Sequence, residues 1–91
     1  MSTKEQILEE VKIEELLGNQ NTIVLFNDDV NTFDHVIETL VKVCKHEPIQ
    51  AEQCALLVHY KGKCDVKTGE IKDLVPMCSA LLDAGLSAEI Q

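Results

Sequence analysis

The chain has 91 residues, which is enough for one domain around one modest hydrophobic core. Its 16 acidic residues outnumber its 8 lysine and arginine residues, and its formal net charge at pH 7 is −8. Charge of this sign repels nucleic-acid phosphates and anionic membrane surfaces and attracts cationic ligands, so we expect no nucleic-acid partner and no membrane partner.

The cysteine pattern and the lack of export signals predict a reducing compartment. No apolar run reaches the ~18 residues of a membrane span, and the first residues lack the pattern of a signal peptide, so we expect a cytoplasmic protein. The four cysteines include no C-x-x-C pair and are predicted to be free thiols in or near the core. A zinc site made from Cys44, His46, Cys54 and His59 is the less favoured alternative, and no cofactor is expected.

Residues 1–20 are predicted to be a flexible N-terminal extension of a core domain that spans residues 21–91. Charged residues dominate the extension, and its apolar residues form only an interrupted helical stripe, so an isolated helix there would be marginal in water. Two interpretations stay open: a solvated terminus, or an arm that a partner engages.

The core domain is predicted to begin with a strand and a helix. Thr22–Phe26 is a short β-branched apolar run, typical of a strand that is buried on both faces. Asn31 or Thr32 can cap a helix that starts at Phe33, where apolar residues begin to recur at helical spacing. Pro48 is expected to stop this helix.

The rest of the chain is predicted to form a helix, a half-buried strand, a helix and an edge strand. Their ranges are Gln50–Tyr60, Lys63–Thr68, Lys72–Ala84 and Leu86–Ile90, separated by Gly62, a turn at Gly69, and Gly85. Asp73 is a candidate N-cap of the last helix, and its buried face is predicted to include Val75 and Leu82, while Leu57 is assigned to the buried face of the helix before. The predicted fold is an α+β sandwich of order β-α-α-β-α-β, in which three helices cover one face of a three-stranded antiparallel sheet.

A polar cluster after the first strand is the candidate for chemistry. Asn27, Asp28 and Asp29 end a buried strand abruptly, which requires solvent, helix caps or a ligand. Taken alone, this segment favours the plain explanation, a strand end with an Asx turn. His59 taken alone is most often a histidine that is hydrogen-bonded at a helix end.

Two segments taken together resemble a known family. Asn27-Asp28-Asp29, followed later by Val58-His59-Tyr60-x-Gly62, is similar to the ClpS family of adaptors for Clp proteases. The resemblance covers about residues 22–90, including the order of helices and strands. It implies an adaptor and not an enzyme, one that binds N-degron substrates by their free N-terminal residue and delivers them to a Clp AAA+ unfoldase of the ClpA or ClpC type.

The resemblance also implies a binding site. The α-amino group of the substrate would be bound by Asn27, Asp28, Asp29 and His59, because an ammonium has three donors and requires converging acceptors. The side chain of the first residue would enter a pocket. The positions that match it are Leu25, Asn31, Phe33, Val36, Ala55, Val58 and Ala88. Large apolar first residues, namely Phe, Leu, Tyr and Trp, are expected to bind.

Three pocket positions depart from the family pattern. Asn31 stands where threonine is common, and Phe33 and Ala55 stand where methionine is common. Ala55 is expected to widen the pocket and Phe33 to narrow its mouth, so that Ile or Val could also be accepted. By position in the family, Glu70 is the candidate residue for docking on the protease.

Two other functions are compatible with the predicted elements. The same order of elements resembles the C-terminal domain of a ribosomal stalk protein, which would make the chain a plain interaction module without need of an amine-binding rim. Two carboxylates and a histidine could also serve acid-base catalysis, but no nucleophile motif, phosphate loop or metal spacing accompanies them.

Overall fold

Residues 20–91, which the computed structural model describes, form the predicted order of strands and helices. The elements are β1 (Gln20–Phe26), α1 (Phe33–Cys44), α2 (Pro48–Lys61), β2 (Lys63–Glu70), α3 (Ile71–Asp83) and β3 (Ser87–Ile90). The strands make one antiparallel sheet in the order β2-β1-β3, with β3 at an edge as predicted. The predicted α+β sandwich is confirmed. The predicted extension lies outside the described residues, apart from Gln20, which already belongs to β1.

The central strand β1 contributes buried side chains to the middle of the core. Ile23, Val24 and Leu25 are buried, as the apolar run predicts. Between Ile23 and Val24 the register with β2 shifts, so that Val66 has no Cα partner on β1. The carbonyl of Val66 instead accepts a hydrogen bond from Nε2 of the buried His46 at 2.6 Å, which ties the connection between α1 and α2 to the sheet.

The ends of α1 and α2 follow local signals, with one correction. Thr32 caps α1, because its side chain accepts a hydrogen bond from the backbone N–H of His35 at 3.1 Å. Pro48 does not stop α1, which ends at Cys44 with Lys45 in the left-handed conformation. Pro48 opens α2 instead, since a proline at the first helical position lacks only an N–H that has no partner in the helix.

Around α3 the prediction was wrong in two places. Gly69 is not in a turn but inside β2, where it pairs with Asn21, because the strand continues to Glu70, the residue before the helix. The N-cap of α3 is Glu70 and not Asp73, which places Pro76 inside the helix.

Three apolar residues that were predicted to be buried are about half exposed. The exposed fractions of Leu57, Val75 and Leu82 are 46%, 53% and 51%. Each helix lies on the core by one face only, so the buried stripe is narrower than the apolar pattern of its sequence. The residues that do form these stripes are Ala51, Cys54, Ala55 and Val58 in α2, and Leu74, Cys78 and Leu81 in α3.

The four cysteines are free thiols, as predicted, and contribute to the core. Cys44, Cys54 and Cys78 are buried, and Cys64 is half-buried. Burial and the neighbouring thiol of Cys54 raise the pKa of Cys64 to about 12, so this thiol stays protonated at neutral pH. Within residues 20–91 no three candidate metal ligands come together, and no helix is long and apolar enough to cross a membrane.

Candidate functional site

A cleft lies at the end of β1, where the strand leads into the polar segment. It encloses about 410 Å³ of empty space, part of which is open to solvent. Its lining residues are Leu25, Phe26, Asn27, Asp28, Asn31, Phe33, Val36, Ala55, Val58, His59 and Leu86. The fold therefore brings together nine of the eleven residues that were predicted for the amine-binding rim and the pocket.

Buried apolar residues from the sheet and from α2 form the floor of the cleft. Leu25 on β1, Ala55 and Val58 on α2, and Leu86 before β3 are all buried, and Val36 on α1 is half-buried. Ala55 and Val58 are three residues apart and so share one face of α2. Their small side chains leave the space that a larger pair would fill.

The carboxylate of Asp28 is held by the residues that follow it. Its Oδ1 accepts hydrogen bonds from the backbone N–H groups of Val30 and Asn31, both at 3.0 Å, which makes the Asx turn that the sequence favours. Nδ2 of Asn31 donates to both carboxylate oxygens, and Oγ of Ser87 lies 3.5 Å from Oδ2. Burial opposes ionisation, but these hydrogen bonds outweigh it and hold the pKa of Asp28 below its usual value. Asp28 is therefore charged at neutral pH.

Aromatic and polar side chains form the mouth of the cleft. The rings of Phe33 and His59 are tilted against each other with centroids 5.1 Å apart, and the rings of Tyr60 and His59 meet edge-on with centroids 4.9 Å apart. Asn27 is exposed beside them, and its backbone N–H donates to the carbonyl of Gly62 at 2.9 Å. This hydrogen bond holds the end of β1 next to the end of α2, and so brings Asn27 and His59 to one rim.

Two predicted site residues lie outside the lining of the cleft. Asp29 is exposed, and Ala88 pairs with Leu25 in the sheet and packs against the core. Sequence reasoning missed Phe26 and Leu86, which do line the cleft. Leu86 could have been found from the alternation of side chains along the predicted last strand, because residues 86 and 88 lie on the same face of a strand.

The candidate docking residue lies far from the cleft. Glu70 pairs with Gln20 at one end of the β1–β2 ladder, whereas Phe26, at the cleft, pairs with Lys63 at the other end. The side chain of Glu70 is 48% exposed and forms an ion pair with Lys72 at 3.3 Å. The two ends are separated by about 20 Å at the usual rise of a strand.

Comparison with known proteins identifies the family. The family model described as ATP-dependent Clp protease adaptor protein ClpS matches residues 18–89. The Clp protease adapter protein ClpS of Campylobacter jejuni strain RM1221 is 37% identical over 70 residues, which cover 75% of this chain and 71% of that protein. The ClpS of Shewanella halifaxensis is 39% identical over 59 residues, which cover 65% of this chain and 58% of that protein.

A solved structure shows the same fold. The chain superposes with a TM-score of 0.72 on Agrobacterium tumefaciens ClpS2 bound to L-phenylalaninamide, with 19% identity over 79% of this chain and 94% of that chain. This likeness supports the observed order of strands and helices. Together with the match over residues 18–89, it shows that the chain belongs to the ClpS family of Clp protease adaptors.

Proposed function

We propose that this protein binds N-degron substrates by their free N-terminal residue in the cleft and delivers them to a Clp AAA+ unfoldase for degradation. One observation carries the proposal: the cleft joins a buried apolar floor to a polar rim beside an ionised carboxylate. An N-terminal residue with an apolar side chain has the matching chemistry, because its cationic amine and its side chain are attached to the same carbon atom.

The rim can supply acceptors to an α-ammonium group. Asn27 offers its amide oxygen and His59 a ring nitrogen, and both side chains are exposed at the mouth. The oxygens of Asp28 already accept hydrogen bonds within the protein, so its main contribution to binding is negative charge beside the amine. Asp29, exposed next to it, adds to the same field or reaches the substrate backbone.

The floor of the cleft suits a large apolar first residue. Burial of one such side chain contributes roughly 1.5 to 3 kcal/mol, and each charge-assisted hydrogen bond about the same. Three or four such contributions, less the cost of association, approach the ~8 kcal/mol of micromolar binding. Ala55 leaves room at depth, while Phe33, which is 41% exposed, stands at the mouth.

A relative gives independent support for this class of ligand. The ClpS2 of A. tumefaciens is bound to L-phenylalaninamide, which has a free α-amino group and a benzyl side chain. The same two groups would meet the rim and the floor of this cleft. We therefore place Phe, Leu, Tyr and Trp first among the N-terminal residues that the protein binds, with Ile and Val as further candidates.

Delivery requires a second surface that binds the unfoldase while the cleft is occupied. Glu70 is the candidate, because it is exposed at the other end of the sheet from the cleft. The relatives are named as protease adaptors, which supports a carrier without catalytic activity of its own. The free cysteines are compatible with a cytoplasmic adaptor for a ClpA- or ClpC-like ATPase.

Fluorescence anisotropy of labelled peptides that differ only in their first residue tests the proposal. Peptides that begin with Phe or Leu are expected to bind with micromolar affinity, and acetylation should abolish binding because it removes the charge and two of the donors. His59→Ala and Asp29→Ala should each weaken binding about tenfold. Asp65→Ala, which removes an exposed carboxylate on β2, is the matched control and should bind as the wild type.

The alternative function gives a different result in the same experiment. If no peptide with a free N-terminus binds to the wild-type protein, N-degron capture is wrong. The chain would then be a plain interaction module built on this fold.

A further inference from the structure

The side chain of Asn31 links two segments that meet at the cleft. Its Nδ2 lies 2.8 Å from the carbonyl oxygen of Gly85, and 3.0 and 2.9 Å from the carboxylate oxygens of Asp28. All three neighbours can only accept hydrogen bonds, so the nitrogen of the amide must face them and not its oxygen. We call Asp28, Asn31 and Gly85 the Asn31 clamp.

The clamp holds the residues on either side of Leu86. Asn31 binds the carbonyl of Gly85, and Oγ of Ser87 lies 3.5 Å from Oδ2 of Asp28. Leu86 itself is 4% exposed and lines the cleft. Contacts with Asn31 and Asp28 thus flank this residue of the cleft floor on both sides.

The backbone hydrogen bonds of this turn lead to α3 and not to the segment after β1. The backbone N–H groups of Gly85 and Leu86 donate to the carbonyls of Leu82 and Leu81, which anchors the turn to the end of α3. The ladder between β1 and β3 includes Ser87 but not the two residues before it. Within residues 20–91, two side chains join Ala84 and Gly85 to the start of α1 by hydrogen bonds. Nδ2 of Asn31 donates to the carbonyl of Gly85, and Nε2 of His35 donates to the carbonyl of Ala84 at 2.8 Å.

We propose that Asn31 is a positioning residue that fixes Leu86 against the cleft and thereby sets how tightly the first residue of a substrate is held. The consequence for substrates rests on the proposed function, whereas the consequence for Leu86 does not. The hydroxyl of a threonine at position 31 has one donor and could not satisfy Asp28 and Gly85 together, while the amide has two. The residue therefore does more than line the pocket.

Amide hydrogen exchange and the NMR signals of the Leu86 methyl groups test the clamp without any ligand. Asn31→Ala should raise the exchange rates of the Gly85 and Leu86 amides about tenfold and shift the Leu86 methyl signals, because the turn loses its link to Asp28. Asn21→Ala is the matched control: it removes an asparagine on β1 that donates to the carbonyl of Gln91, and it should leave both signals unchanged. Unchanged exchange at Leu86 in Asn31→Ala would overturn the clamp.

In Asn31→Asp, amide exchange at Leu86 should depend on pH in a way that a role of Asn31 in lining the pocket does not predict. The variant keeps the shape of the side chain but places a second carboxylate beside Asp28, and two such groups resist joint ionisation. At pH 7, exchange at Leu86 is expected to be faster in this variant than in the wild type. The difference should close at a pH low enough to protonate both carboxyls, because Asp28 can then donate to the new carboxyl and the new carboxyl to the carbonyl of Gly85. A difference from the wild type that stays the same at low pH would contradict a hydrogen-bonded clamp.

Peptide binding then tests the consequence for substrates. Asn31→Ala should weaken the binding of a Phe peptide about fivefold, and so should Leu86→Ala. The double variant should be little worse than Leu86→Ala, because both changes act through one side chain. Additive losses would show that Asn31 does not act through Leu86. If the wild type binds no peptide, the proposed function fails, and the exchange experiments still decide whether the clamp exists.

Discussion

At the scale of single residues, Asp28 has a structural task that its place in the polar triplet does not show. Its carboxylate accepts hydrogen bonds from the backbone of Val30 and Asn31 and from the side chain of Asn31. These bonds close the turn after β1, and they keep the charge that the rim presents to a ligand. One side chain thus builds the turn and sets the sign of the field at the cleft.

The lowered pKa of Asp28 makes its contribution to stability depend on pH. Because the pKa is lower in the folded than in the unfolded protein, the contribution is complete above about pH 4 and is lost as the pH falls through the folded value. Asp28→Asn should lower the free energy of unfolding by about 1 kcal/mol at pH 7 and by less at pH 3. Urea unfolding followed by circular dichroism at both pH values measures the difference.

A matched control separates this effect from a general effect of charge. Asp65→Asn removes an exposed carboxylate from β2 and should change stability little at either pH. A loss in Asp28→Asn that is the same at pH 3 and pH 7 would contradict a role of the ionised carboxylate.

At the scale of elements, the start of α1 decides where the polar segment ends. The cap at Thr32 satisfies the N–H of His35 and fixes the first turn, from which Phe33 reaches the mouth of the cleft and Val36 its floor. A local signal therefore determines the placement of two pocket residues.

Removal of the helix cap at Thr32 should lower the free energy of unfolding. Thr32→Ala is expected to lower the free energy of unfolding by about 1 kcal/mol, whereas Thr32→Ser keeps the oxygen and should cost only a few tenths. Thermal and urea unfolding of both variants measure this. Equal losses in the two variants would show that the methyl group of Thr32 matters and its hydroxyl does not.

At the scale of the whole molecule, the sheet separates the two proposed surfaces. The cleft lies at the Phe26 end of β1, and Glu70 lies at the Gln20 end of the β1–β2 ladder. A substrate in the cleft would therefore leave the other end of the sheet free for a larger partner. This separation is the property that an adaptor requires, because it must bind its cargo and its acceptor at the same time.

Reversal of the charge at residue 70 should weaken binding to the unfoldase without changing the binding of peptides. Glu70→Lys is expected to weaken association with a ClpA- or ClpC-type unfoldase at least severalfold, because it reverses a charge at the proposed contact. Affinity for Phe peptides should not change. The fold should tolerate the substitution, since the ion pair with Lys72 is exposed and contributes little.

Co-sedimentation with the unfoldase hexamer and peptide anisotropy, measured on the same preparation, test this. Glu52→Lys, an equal change of charge at an exposed site on α2, is the control. Unfoldase binding that survives in Glu70→Lys would place the docking surface elsewhere on the molecule.

The sequence by itself determined the number, type and order of the elements in residues 20–91. Signals that act within a few residues were sufficient for this: the apolar run of β1, the cap at Thr32, and Gly62 at the end of α2, where the chain needs a positive φ. The same signals gave a wrong prediction where a residue pairs with a strand that is distant in sequence. Gly69 was read as a turn because a glycine is a local breaker, but pairing with Asn21 kept it in the strand.

Which residues complete the lining of the cleft was decided only by the tertiary structure. The family pattern predicted most of the lining residues, but it predicted Ala88 where Leu86 lines the cleft, and it did not predict the hydrogen bonds of Asn31. Which side chains meet depends on where the turn after α3 lies relative to the segment after β1, and these segments are 54 residues apart at Asn31 and Gly85. Periodicity describes the faces of one element, whereas a cleft is formed by the ends of several elements, so its shape follows from their packing.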